Sequence, residues 1–114
     1  MPIINKAKTL LWTTHAKGKM SFYKLSEQRI RRVLHSPYRI EEGIAPNTIA
    51  MMQPASIRTV ANKQKWTQEI WVMIQETKTR RKIISAWRYP GMTKQGEPLP
   101  EEIIRELKTG LGKY

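Results

Sequence analysis

The chain has 114 residues, and 21 Lys and Arg against nine acidic residues leave a formal net charge of +12. There is no cysteine, which excludes disulfides, thiolate metal sites and thiol catalysis. No apolar run approaches the ~20 residues of a membrane span, and Met1 to Lys6 meets charge too soon for a secretory leader, so a cytoplasmic protein without membrane contact is expected.

The length fits one domain spanning residues 1–114, with its core over about 9–90. Residues 9–13 are a short β-prone run. Residues 14–22 read as a first helix that Thr14 can cap, with Ala16, Met20 and Tyr23 near one face and Gly18 as a weak point. Ser26 is a good N-cap for a second helix running to about His35, because Ile30, Val33 and Leu34 show helical spacing. Arg29 and Arg32 share another face of it, beside Arg31, and Ser36-Pro37 ends it.

After Pro37 the period changes. Residues 38–42 and 48–53 read as strands joined by a turn at 43–47. Residues 54–66 are polar, lack a clear period and read as a long loop. Residues 69–75 are apolar on both faces, as a central strand would be. Residues 81–89 are its hairpin partner, with Ile83, Ser85, Trp87 and Tyr89 on one face and Lys82, Ile84, Ala86 and Arg88 on the other. A final helix is expected over about 100–109, with Pro100 in its first turn and Gly110 beyond its end. The order predicts an α+β fold: two N-terminal helices on a three- to four-stranded antiparallel sheet, plus a C-terminal helix. Helices on one face would leave the other face open to a ligand.

The charge is uneven. Residues 1–40 carry a net +8, residues 41–75 are neutral, and residues 76–114 carry +4. A lopsided surplus suggests a binding face for a polyanion, RNA or DNA, or for an acidic protein.

Few enzyme chemistries have a motif here. Glu41 and Glu42 are adjacent and would point to opposite faces of a strand, so they cannot share a proton. His15 and His35 are too isolated to form a metal set, no nucleotide-binding or serine-hydrolase motif occurs, and no metal or cofactor is expected. What remains is His15 four residues before Lys19, Lys17 between them, the Arg29/Arg32 pair, and basic residues around Arg81 and Arg88 with Tyr89. A His, a Lys, an Arg and a Tyr suffice for metal-free RNA cleavage. The 2′-hydroxyl must lose a proton, the leaving oxygen must gain one, and cations must neutralise the phosphorane. Structural roles compete: a cap or core-edge hydrogen bond for His15, an ion pair with Glu69 or Glu76 for Arg88, and packing against a helix for Trp87 and Tyr89. Trp12 and Trp71 belong in the core.

Residues 14–20 (Thr-His-Ala-Lys-Gly-Lys-Met), followed by Leu25-Ser26 and the Val33-Leu34 pair, resemble small toxin-like proteins of the RelE/BrnT-like superfamily, in a branch with a His-Ala-x-x-Arg-Met opening. Residues 81–88 (Arg-Lys-Ile-Ile-Ser-Ala-Trp-Arg) are similar to the last strand of BrnT-type proteins, with Trp87 standing where that pattern has Arg. The resemblance implies a toxin–antitoxin ribonuclease that acts on mRNA, in some relatives on the ribosome, and is silenced by an antitoxin. It puts Lys19 where that opening has a basic residue, and Arg81 and Arg88 on the strand that carries basic active-site residues in the toxins.

The combined expectation is a metal-independent endoribonuclease. His15 or Tyr89 would transfer protons, Lys19, Arg81 and Arg88 would meet phosphate charge, and Lys17, Arg29, Arg32 and Lys82 would hold the RNA backbone. The alternatives are a non-catalytic RNA- or ribosome-binding module and a basic domain that docks an acidic protein.

Overall fold

Thr13 and Ser26 decide where the helices begin. In the computed structural model, which describes residues 9–43 and 47–95, the elements run β1 (Thr9–Trp12), α1 (Thr14–Tyr23), α2 (Glu27–His35), β2 (Arg39–Glu42), β3 (Thr48–Pro54), β4 (Arg58–Val60), β5 (Lys63–Lys65), β6 (Gln68–Glu76) and β7 (Arg80–Pro90). Thr13, one residue before the expected cap, accepts the Ala16 N–H at 3.1 Å, and its hydroxyl also donates to the Ile83 carbonyl at 2.8 Å. One side chain thus starts α1 and ties it to β7. Ser26 accepts the Arg29 N–H at 3.0 Å and starts α2, whose Ile30 and Val33 are wholly buried. Gly18 does not break α1.

Five strands form one sheet in the order β1-β7-β6-β3-β2. β1 lies parallel to β7, with Leu10 opposite Arg81, and the other pairings are antiparallel. This corrects the expected three- to four-stranded antiparallel sheet: the sheet is mixed, has five strands, and makes strand the dominant structure. The parallel pair joins residues about seventy positions apart, which no local pattern encodes. The expected C-terminal helix lies outside the described residues. Among the described residues, no helix is long and apolar enough to cross a membrane.

A second correction concerns residues 54–66. Instead of a loop they contain β4 and β5, a separate two-stranded sheet. Ala61 and Asn62 turn between them with φ of 51° and 66°, the left-handed pair that a two-residue hairpin needs. All six strand residues are exposed, so neither face shows the apolar alternation that would reveal a strand.

Both faces of the large sheet are buried. Ile30 and Val33 of α2, with Ala16 and Met20 of α1, pack on Met51, Ile70, Val72, Ile74, Ile83 and Ala86. The opposite face is not open to a ligand as expected, but is a second core of Ala50, Met52, Trp66, Trp71, Met73, Ile84 and Trp87. Trp71 and Trp87 stack there with centroids 6.0 Å apart. The face assignment for β7 is corrected too. A register shift between Met73 and Ile74 pairs Met73 with Ser85 but Ile74 with Ile83, leaving Ile84 as the extra residue. The bulge breaks strict alternation, so Ile83 and Ala86 face the helices while Ile84 and Trp87 face away.

Candidate nucleic-acid interface

With Ile30 and Val33 spent on the core, helical geometry turns Gln28, Arg31, Arg32 and His35 outward. Arg29 is half-buried at the margin, where it donates to Gln53 Oε1 and to the Pro54 carbonyl. Gln53 in turn donates to the Arg32 and Ser36 carbonyls at 3.2 and 2.8 Å, which pins α2 to β3 along most of its length.

The electrostatics of this surface are one-sided. Burial, and then the neighbouring guanidiniums of Arg32 and Arg88, push Arg29 below the usual arginine value. Among the described residues none of these three has a carboxylate partner. Arg31 stands 5.6 Å over the Trp12 ring and 4.0 Å from Glu27.

Three grooves adjoin α2. One of about 480 Å³ lies between α2 and the segment leading to β4, with Arg29 and Arg32 on one wall and Tyr38, Ala55 and Ile57 on the other. A second, of about 490 Å³, runs past Gln28, Arg31, Arg32 and His35. A third, of about 600 Å³, lies toward the start of β7 and brings Arg31 and His35 to Arg81. Of the late basic cluster, Arg81 therefore lies beside the second helix.

Of the expected catalytic residues, His15 and Lys19 lie on α1, and Arg81 and Arg88 lie near opposite ends of β7. His15 is half-buried in the first turn of α1, and Lys19 holds its Nζ 5.7 Å from the centre of the Phe22 ring. Arg81 is paired with Glu76 at 2.8 Å. Arg88 closes the end of α1: its Nε donates to the Tyr23 carbonyl at 2.8 Å, and its other nitrogens reach Gln68 Oε1 and the Lys24 carbonyl. It is therefore a helix-capping cation and makes neither of the expected ion pairs. Tyr89 is one strand position on, opposite Glu69 and packed against the second core. None of the three grooves is lined by His15, Lys19, Arg88 or Tyr89. Of the expected backbone-binding residues, Arg29 and Arg32 share a groove, Lys17 is exposed on α1, and Lys82 points to the sheet face opposite Arg81.

Sequence reasoning missed Arg31, His35 and Tyr38 as site residues. The i, i+3, i+4, i+7 series of Gln28, Arg31, Arg32 and His35 was a readable signal for the first two. Tyr38 had none, because its neighbours come from β5 and Trp66.

Behind the site lies a buried polar network. Glu69, 0% exposed, accepts from Trp66 Nε1 and Trp71 Nε1, each at 2.9 Å, and from the Thr93 N–H and hydroxyl at 2.9 and 2.7 Å. Arg39 donates to the Thr93 carbonyl and hydroxyl and lies 5.2 Å over the Trp71 ring. The network fixes Trp66, immediately after β5, and so anchors the hairpin. Comparison of the chain with family models, curated proteins and solved structures returned no match.

Proposed function

We propose that this protein binds RNA through the arginine-bearing surface of α2. The observation that carries the reading is the row of Arg29, Arg31 and Arg32 along the grooves beside α2. Like charges gathered as Arg29 and Arg32 are, with no acidic partner among the described residues, work against folding, whereas a phosphate chain turns the same arrangement into attraction. Guanidiniums suit the task because their fork of donors matches phosphate oxygens. The choice of RNA over an acidic protein rests on the resemblance of residues 14–37 and 81–88 to RelE- and BrnT-like toxins. In that setting an acidic antitoxin would cover the same arginines.

A second reading has one observation in its favour. His35, Arg31 and Arg81 line one groove. Metal-independent cleavage would be centred there, with His35 moving the proton and the two arginines meeting the phosphorane charge.

The test is to incubate purified protein with end-labelled RNA in chelator at about 50 mM salt, where phosphate contacts are strong, and to measure both retention and new 5′ ends. Binding that weakens at least tenfold in an Arg29→Gln, Arg32→Gln variant supports the first reading; no retention of any RNA overturns it. New 5′ ends that vanish in His35→Ala support the second reading, and an intact substrate overturns it.

A further inference from the structure

The groove between α2 and the hairpin holds a feature that phosphate binding alone does not use. Tyr38 lines it with 46% of its surface exposed, yet the ring is held at two points. Its hydroxyl donates to Gln64 Oε1 of β5 at 2.8 Å. Its ring meets Trp66 edge-on, with centroids 5.0 Å apart and planes 72° apart. Trp66 is in turn locked by its hydrogen bond to the buried Glu69. An aromatic ring that is fixed but left open is a preorganised platform for a flat ligand. Across the groove stand Arg29 and Arg32, so the ligand joins a planar group to negative charge. The hairpin beside it adds Arg58, Lys63 and Lys65 without an acid.

We infer that Tyr38 is a nucleobase-stacking site, and that the groove takes one unpaired nucleotide with its phosphate on Arg29 and Arg32. The inference rests on the RNA-binding reading and adds a preference to it. In a duplex the base faces are already stacked on one another, so this site discriminates for single strands. The β4–β5 hairpin then continues the cationic path and is a binding arm.

The experiment is fluorescence anisotropy with three probes of equal length: a 12-nucleotide oligouridine, an abasic ribose-phosphate oligomer and a duplex RNA. Oligouridine is expected to bind roughly tenfold more tightly than the abasic oligomer, and more tightly than the duplex. Tyr38→Ala is expected to lower oligouridine affinity by roughly tenfold and leave the abasic oligomer unaffected, while Tyr38→Phe keeps the ring and most of the affinity. Equal binding of oligouridine and abasic oligomer by the unaltered protein overturns the stacking site while the phosphate reading stands. An oligouridine affinity unchanged in a folded Tyr38→Ala protein does the same. Failure of all three probes to bind overturns the RNA reading itself.

Discussion

Glu69 shows how one buried side chain organises a region read from sequence as featureless. Its two oxygens accept four hydrogen bonds from residues 66, 71 and 93. Hydrogen bonds to a charged group contribute about 1.5–3 kcal/mol each, and a buried donor left unmatched costs a similar amount. Glu69→Gln sets an amide N–H against those donors. It is expected to lower stability by about 3 kcal/mol, read as a fall in the thermal midpoint of roughly 15 °C. The arginines of α2 behave in the opposite way. Arg32 is exposed and adds repulsion at Arg29. Arg32→Gln is therefore expected to leave stability within about 0.5 kcal/mol of the parent, while RNA affinity falls. Urea unfolding and anisotropy on the same sample separate the two effects. Trp71 was legible as core from its apolar strand, and Trp12 packs against the helix-side core. The Glu69 network was not legible, because Trp66 and Trp71 are close in sequence but Thr93, which closes it, lies 24 residues away.

At the scale of elements, the helices were nearly complete in the sequence. Capping residues and apolar spacing are local properties, and both helix spans agree with the expectation to within one or two residues. Gly18 sits inside α1 where an added Cβ would meet nothing within 4 Å. Gly18→Ala should therefore stabilise the protein by about 0.5–1 kcal/mol, visible as a thermal midpoint several degrees higher. The strands were less legible, for two separate reasons. A bulge redirected the side chains of β7 on either side of Ile84, so strict alternation assigned Ile83 and Ala86 to the wrong neighbours. The β4–β5 hairpin has no buried face, and hence no period to read. Its turn offers a direct check. Ala61 occupies a left-handed position that suits Asn or Gly better. An Ala61→Asn, Asn62→Gly turn is expected to slow amide exchange in residues 58–65 with little change in global stability. Exchange that is unchanged or faster would show that the hairpin is not closed by this turn.

Across the whole molecule, the sequence revealed how much charge there is but not where it goes. Two cationic stretches, one on α2 and one opening β7, are far apart in the chain. They approach at Arg81, because β7 lies between β1 and β6 and its start shares a groove with Arg31 and His35 of α2. Some of the remaining charge is committed to structure, as Arg88 is at the end of α1. The candidate site was half legible: the arginines of α2 were, but their groove, Tyr38 and the role of His35 depend on contacts between elements. The central claim is that α2 offers phosphate-binding arginines and not a general cationic coat. Its most direct test is the salt dependence of affinity for a single-stranded RNA. Each phosphate contact contributes about 0.7 to the log–log slope. An Arg29→Gln, Arg31→Gln, Arg32→Gln variant should lose about 2 from the slope and bind much more weakly. A Lys17→Gln variant, on α1 and outside the three grooves, should lose almost nothing. Equal losses for the two variants, or an unchanged slope in the first, would contradict the account.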